Sequence, residues 1–148
     1  MSDHESLDHS AVLIVDDEPF IALDLAMAVE DAGGVVVGPA GSVREALGLL
    51  QRHQVTAAIL DVNLSDGDVS PIVEILIARG IPLVFQTGVG LPRALKARYP
   101  GLLVYAKPVH SDELVQTLAG LIRKRRSPSS SAGPKARAET RGLVAARA

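Results

Sequence analysis

The stretch AVLIVDDEPF, from Ala11 to Phe20, decides the fold of this chain. An aliphatic run without a polar interruption ends on two adjacent acids, Asp16 and Asp17. Such a continuous run is typical of a strand in a parallel sheet that is covered on both faces. Two like charges at the end of a buried strand repel each other, so their position needs a physical reason.

Similar runs recur along the chain and predict the rest of the sheet. Buried strands are predicted at 56–60, 81–86 and 102–106, and the short glycine-bounded run at 34–38 is predicted to form an edge strand. Helical spacing of apolar residues separates these strands. The predicted helices cover 18–32, 42–53, 70–80, 91–100, which is short and weak, and 111–126.

The order of these elements determines the expected architecture. Strand and helix alternate five times, which predicts an α/β fold with a doubly wound, five-stranded parallel sheet and right-handed crossovers. The flavodoxin-like strand order 2-1-3-4-5 is the natural choice, and it places ligands beyond the carboxyl ends of the strands. Ser42 and Glu45 predict a capping box at the second helix.

Composition divides the chain into a domain and two ends. Residues 1–122 contain 16 acids and 7 bases, whereas residues 123–148 contain 8 bases and 1 acid. We therefore predict a flexible N-terminus at 1–10, a domain at 11–124 and a disordered basic tail at 125–148. The absence of cysteine, of a secretory signal and of a long apolar run predicts a cytoplasmic protein without disulfides or a membrane span.

Chemistry-bearing residues follow the predicted strands. Asp16 and Asp17 follow the first strand, Asp61 the third, Thr87 the fourth and Lys107 the fifth. The carboxyl ends of parallel strands meet at one edge, so these side chains are expected to converge. Clustered carboxylates repel until a hard cation lies among them, and Mg²⁺ prefers oxygen ligands. The sequence therefore predicts a Mg²⁺ site suited to phosphoryl transfer onto a carboxylate.

The motifs LIVDDE, ILDVNLSDG, TG and KP resemble, in this order and spacing, the receiver domain of two-component response regulators. The resemblance covers about residues 10–124 and implies a CheY-like (βα)5 fold. It implies that Asp17 binds Mg²⁺ directly and Asp16 mainly through water. It also assigns a metal ligand to Asp61 and another to the backbone carbonyl of Asn63.

The resemblance also assigns the reaction. Asp61 is implied to accept a phosphoryl group from a phosphohistidine, with Lys107 and Thr87 contacting the phosphoryl oxygens. Pro108 predicts a cis peptide bond after the lysine.

A narrower resemblance is to the stand-alone receivers nicknamed FAT GUY, after a Phe-Ala-Thr-Gly-x-Tyr motif. This chain reads FQTGVG at 85–90, so Gln86 replaces the alanine and Gly90 the tyrosine. The receiver aromatic that usually lies three residues before the lysine is also missing, because Val104 occupies that position. Tyr105 follows it and is expected to point to the other face of the sheet.

These features predict a single-domain response regulator. Its expected partners are a sensor histidine kinase or a histidine phosphotransfer protein, and a downstream regulator protein. We expect no specific nucleic acid, no membrane, and a monomer or weak homodimer. The chain is expected to catalyse its own phosphorylation and dephosphorylation but no metabolic reaction.

Two other functions are compatible with the residues. One is a receiver-like binding module that works without phosphorylation, suggested by Val104 in place of the aromatic. The other is a phosphatase of the haloacid dehalogenase type, which needs a second acid two residues after the nucleophile. Asn63 occupies that position, which argues against the phosphatase.

Overall fold

The computed structural model describes residues 6–126. Its five strands form one parallel sheet in the order β2-β1-β3-β4-β5, which confirms the predicted fold. The strands are β1 (Ala11–Val15), β2 (Val35–Ala40), β3 (Ala57–Asp61), β4 (Leu83–Thr87) and β5 (Leu103–Ala106). The helices are α1 (Pro19–Asp31), α2 (Val43–Arg52), α3 (Ser70–Ala78), α4 (Arg93–Arg98) and α5 (Ser111–Arg126).

The sheet is covered on both faces, which explains its continuous apolar strands. Successive residues of a strand point to opposite faces. Leu13 therefore packs with α2, α3 and α4, whereas Val12 and Ile14 pack with α1 and α5. Within residues 6–126, no helix has both the length and the apolar character that crossing a bilayer would require.

The predicted cap of α2 forms with one change. Ser42 Oγ accepts a hydrogen bond from the Glu45 N–H at 3.0 Å, as a capping box requires. The Glu45 carboxylate, however, accepts from the Gly41 N–H at 2.9 Å rather than from that of Ser42. The reciprocal bond therefore lies one residue outside the predicted box.

Strand β2 is longer than predicted. A glycine-proline pair usually ends a strand, but Gly38-Pro39 lies inside a bulge and the strand continues past it. Leu13 pairs with Val37 and Val15 with Ala40, so β2 advances three residues while β1 advances two. Gly38 supplies the backbone for this bulge, with φ +103°. The pairing therefore continues to the carboxyl end of β1, where the Asp16 N–H donates to the Ala40 carbonyl at 2.9 Å.

Both predicted ends of the domain need correction. Leu7 is 1% exposed in the α1/α5 layer, and its N–H donates to the Ala32 carbonyl at 2.8 Å. The prediction of a flexible N-terminus is thus wrong for residues 6–10, because one apolar side chain anchors them. Helix α5 ends at Arg126, which confirms the predicted helix 111–126, and the predicted start of the tail at 125 lies inside this helix. Residues 1–5 and 127–148 of the predicted ends lie outside the described residues.

Candidate functional site

The candidate site lies at the carboxyl edge, where three strands deliver charged side chains to the α1/α5 face. Asp16 follows β1, Asp61 is the last residue of β3, and Lys107 follows β5. Asp16 and Asp61 are each 2% exposed. The sequence therefore predicted this convergence correctly for three strand ends.

Lys107 is the cation at the centre of this cluster. Its Nζ lies 3.1 Å from Asp61 Oδ2, 3.6 Å from Asp16 Oδ2 and 3.7 Å from Glu18 Oε2. The peptide bond between Lys107 and Pro108 is cis, as predicted. A single ammonium group cannot balance all of these carboxylates when they are ionised, so the cluster is suited to a further cation.

Burial and neighbouring charges act on the titration of the cluster. Burial raises the pKa of Asp16, against the hydrogen bond from the Glu18 N–H, and the charge of Asp61 raises it further. For Lys107, burial acts to lower the pKa, but the hydrogen bond to Asp61 and the surrounding carboxylates outweigh it, so the pKa is raised. Lys107 is therefore an ammonium cation throughout the physiological pH range.

A buried glutamine belongs to this site and was not predicted as a site residue. Gln86 is 3% exposed in β4, and its Nε2 donates to Asp16 Oδ2 at 2.9 Å. The other oxygen of this carboxylate, Oδ1, accepts from the Glu18 N–H at 2.9 Å. A lone amide in the apolar run LVFQT was the available signal, since a buried polar group requires a hydrogen-bond partner.

Three carboxylates are arranged in a way that suits Mg²⁺. One oxygen from each of Asp16, Asp17 and Asp61 lies within 4.8 Å of the others. Opposite ligands of an octahedral Mg²⁺ ion lie about 4.2 Å apart, twice the Mg–O distance of about 2.1 Å. Oxygens within this limit of one another are close enough to share one ion, directly or through its bound water. Asp17 is exposed, so it is the acid of this set that is open to solvent.

Asn63 and Thr87 make hydrogen bonds to Asp61 and to the loop after β4, respectively. The Asn63 N–H donates to Asp61 Oδ1 at 3.2 Å, and metal ligation by its carbonyl stays a prediction. Thr87 Oγ1 accepts from the Val89 N–H at 3.1 Å and donates to the Gly90 carbonyl at 3.4 Å. Both partners of the hydroxyl thus lie in the loop after β4, and its contact with a phosphoryl group also stays a prediction.

Val104 and Tyr105 of β5 point to opposite faces of the sheet, as predicted. Val104 is 38% exposed, whereas Tyr105 packs in the α1/α5 layer. The Tyr105 hydroxyl shares a 2.7 Å hydrogen bond with Thr117 Oγ1 of α5. Tyr105 therefore lies on the opposite face from Val104 and is attached to α5.

The loop that follows Asp61 is connected to α2 by Asp66, an acid within the motif ILDVNLSDG to which no role was predicted. Asp66 accepts hydrogen bonds from the N–H groups of Val43 at 2.8 Å and Arg44 at 3.1 Å. These bonds, with that of Val43 the larger effect, lower the pKa of Asp66. Its carboxylate therefore caps the first turn of α2 and connects the site loop to the helix.

Replacing Lys107 by methionine is expected to destabilise the metal-free protein by about 2 kcal/mol or more, because two buried carboxylates lose their counter-ion. Added Mg²⁺ is expected to restore part of this loss, since a divalent cation supplies the missing positive charge. Urea unfolding with and without Mg²⁺ measures both effects. Lys96→Met is the control, because Lys96 is exposed on α4. Equal responses of the two variants to Mg²⁺ would contradict the prediction.

Comparisons with known proteins support the family. The pattern of the response regulator receiver domain matches residues 12–119. The chain is 31% identical over 140 residues to the transcriptional regulatory protein PdtaR of Mycobacterium tuberculosis, covering 90% of this chain and 68% of PdtaR. It is 35% identical over 115 residues to the photosynthetic apparatus regulatory protein RegA of Cereibacter sphaeroides, covering 75% of this chain and 61% of RegA.

Solved structures agree with this match. SdrG from Sphingomonas melonis is 35% identical, with a TM-score of 0.63, and the alignment covers 82% of this chain and 99% of SdrG. The response regulator PhyR from Brucella abortus is 27% identical, with a TM-score of 0.67 over 83% of this chain. This chain spans about half of PhyR, 50% of its length. The chain thus belongs to the response regulator receiver domain family.

Proposed function

We propose that this chain is a single-domain response regulator in which Asp61 accepts a phosphoryl group in a Mg²⁺-dependent reaction. The observation that carries the proposal is the geometry of Asp61. Its carboxylate is buried among two other carboxylates, and its Oδ2 lies 3.1 Å from the Lys107 ammonium. A nucleophile, a potential metal site and a fixed cation are thereby gathered within one pocket.

The proposed reaction exchanges one bond of phosphorus for another. An Asp61 oxygen forms a bond to phosphorus while the P–N bond of a phosphohistidine breaks, and the bonding electrons leave with the imidazole nitrogen, which takes up a proton. Bound Mg²⁺ would offset negative charge on the transferring phosphoryl oxygens. Asp16, Asp17, Asp61 and the Asn63 carbonyl would hold that ion. The Lys107 ammonium would pair with the phosphoryl oxygens.

Phosphorylation is proposed to change the loop after β4. The Thr87 hydroxyl would exchange its long 3.4 Å hydrogen bond to the Gly90 carbonyl for one to a phosphoryl oxygen. The loop would then follow, shifting the balance between two surface states around α4, β5 and α5. Signalling by protein contacts follows from this change of surface.

A test of the proposed reaction uses the full chain and a small phosphodonor such as acetyl phosphate. Intact mass spectrometry is expected to show one added phosphoryl group when Mg²⁺ is present and none when a chelator replaces it. Fragment analysis is expected to place the modification on the segment that contains Asp61. Failure to form an adduct with Mg²⁺, or an adduct located elsewhere, would end the proposal.

An apolar surface on α1 supports a protein as the phosphodonor. Phe20, Leu23 and Met27 are 87%, 57% and 54% exposed and recur at helical spacing. The stripe begins four residues after Asp16, in the first turn of the helix that follows it. An exposed apolar stripe at the edge of a phosphorylation site is suited to a helix of a sensor histidine kinase or of a histidine phosphotransfer protein.

Phe20→Ser is expected to slow phosphorylation by a protein donor by roughly tenfold or more, because an exposed aromatic in an interface often dominates binding. Phosphorylation by acetyl phosphate is expected to be unchanged, since the carboxylates and Lys107 are intact. Transfer from purified phosphorylated kinases, profiled over time, measures the first rate. Val35→Thr is the control. Val35 is also exposed, but it is the first residue of β2 and therefore lies at the amino ends of the strands, away from the site. A similar loss with both donors would contradict a docking role.

The remaining biological features are also part of the proposal. Relatives are named as a transcriptional regulatory protein, a photosynthetic apparatus regulatory protein and an anti-anti-sigma factor, which supports a downstream regulator protein as a partner. We propose that the chain acts in the cytoplasm, as a monomer or weak homodimer, without specific nucleic acid or membrane. Its catalysis would be limited to its own phosphorylation and dephosphorylation.

A phosphorylation-independent binding module is the second candidate. Val104 replaces the usual aromatic, Tyr105 is bonded to Thr117, and the Thr87 hydroxyl is already bonded within its loop. If this second function is the real one, the affinity for the partner is unchanged by acetyl phosphate and by the substitution Asp61→Ala. Titration calorimetry with an isolated partner therefore separates the two functions.

A further inference from the structure

We propose that Gln86 is a positioning residue that fixes the Asp16 carboxylate for metal binding. The inference rests on the proposed function and adds to it a residue that the receiver resemblance does not supply, because the related FAT GUY motif has alanine at this position. Gln86 does not touch the reacting atoms in this proposal. It acts through the carboxylate that it holds.

The sheet register places the amide within the pocket. Val84 packs in the α1/α5 layer and Phe85 in the opposite one, so Gln86 points to the α1/α5 face. On the neighbouring strands, Gln86 pairs in register with Asp61 and with Tyr105. Its side chain therefore extends past the end of β3 to reach Asp16 beyond β1, with a donor–acceptor distance of 2.9 Å.

Asp16 is held at both of its oxygens. Oδ1 accepts from the Glu18 N–H, and Oδ2 accepts from Gln86 Nε2. The carboxylate plane therefore cannot rotate without loss of a hydrogen bond. Each carboxylate oxygen has two acceptor sites, so both oxygens keep capacity for a metal ion or for water bound to it. Gln86 would thus orient the Asp16 carboxylate and still leave an acceptor site on Oδ2 for the metal ion or its bound water.

Packing alone does not explain this glutamine. An amide at 3% exposure loses its hydration, and an aliphatic side chain would fill the same strand position without that cost. The compensating interaction is the hydrogen bond to a charged acceptor, which belongs to the acidic cluster. Side chains that orient metal ligands in this way strongly affect metal affinity.

Gln86→Met tests the proposal, because methionine keeps the length of the side chain and removes its donor. Titration calorimetry with Mg²⁺ alone is expected to show roughly tenfold weaker binding than in the wild type. The urea midpoint of the metal-free protein is expected to fall, because the buried Asp16 carboxylate loses a hydrogen bond. A purely structural role for the amide would lower this midpoint and leave the Mg²⁺ affinity of the folded protein unchanged. Tyr105→Phe is the control. Tyr105 pairs in register with Gln86 on the neighbouring strand, and the substitution removes its hydrogen bond to Thr117. The Mg²⁺ affinity of this variant is expected to equal that of the wild type.

Each result separates this inference from the proposed function. Unchanged or tighter Mg²⁺ binding by Gln86→Met, or no binding by the wild type, overturns the positioning role. If Gln86→Met fails to fold, Gln86→Ala must show the same tenfold loss, and wild-type affinity in that variant also overturns it. Phosphorylation is measured separately by intact mass. Weakened Mg²⁺ binding in a chain that never phosphorylates Asp61 would support the positioning role and refute the proposed reaction.

Discussion

An Asp61→Asn variant is expected to take up no phosphoryl group from acetyl phosphate, even with Mg²⁺ in excess. The substitution barely changes the size of the side chain, but a neutral amide is a poor nucleophile and no longer attracts the metal or the Lys107 ammonium. The loss should be close to complete, since no other buried carboxylate lies in hydrogen-bond contact with Lys107 among the described residues. Intact mass after incubation with the donor measures the result.

Asp68→Asn is the matched control for this experiment. Asp68 lies on the same loop, is exposed, and accepts hydrogen bonds from the N–H and hydroxyl of Ser70. Its substitution is expected to leave the mass gain at the wild-type level. Equal labelling of Asp61→Asn and the wild type would show that a different side chain receives the phosphoryl group.

Most of the fold could be predicted because local patterns determine it. The central strands are largely apolar because helices cover both faces of the sheet, and an acidic residue directly follows the runs of β1 and β3. Asp61, for example, directly follows the apolar run 56–60 and is the last residue of β3. The edge rule for parallel sheets then places Asp16 and Lys107 beside it without knowledge of any contact.

Side-chain contacts between segments that are distant in sequence could not be predicted from these local patterns. Gln86 bonds to Asp16 across 70 positions of sequence, and Asp66 bonds to the start of α2 from 23 positions after Val43. Asp16 and Asp66 lie in the motifs LIVDDE and ILDVNLSDG, but neither motif indicates the partner in the other segment. Leu7 was missed for a related reason, because a single apolar residue in a polar segment gives no periodic pattern although it anchors the chain to α1.

The extent of β2 shows how a local rule can mislead. Its bulge at Gly38 is also the position where a substitution is expected to cost the most stability. The pair Gly38-Pro39 resembles a strand end, yet the strand continues to Ala40 because Gly38 adopts φ +103°. A Cβ at Gly38 would lie 2.8 Å from the Ala40 nitrogen and 3.1 Å from the Ile14 carbonyl oxygen. Both contacts involve backbone, which cannot move aside as a flexible side chain can.

Gly38→Ala is therefore expected to lower the free energy of unfolding by about 3 kcal/mol, from the strained φ and the backbone overlap together. Urea unfolding measures the loss. Gly120→Ala is the control, because a Cβ there meets nothing within 4 Å and the residue lies inside α5, where alanine should stabilise by about 0.5–1 kcal/mol. A small effect at Gly38 would mean that β2 can shift along β1.

The backbone overlap at Gly38 is also expected to disturb the site. The Ala40 carbonyl accepts the Asp16 N–H at 2.9 Å, so the bulge fixes the backbone of the first buried acid just as Gln86 fixes its side chain. Gly38→Ala is accordingly expected to weaken Mg²⁺ binding at temperatures where the protein is still folded, which titration calorimetry measures. Wild-type Mg²⁺ affinity in the folded variant would show that Asp16 is held by its side-chain hydrogen bonds alone.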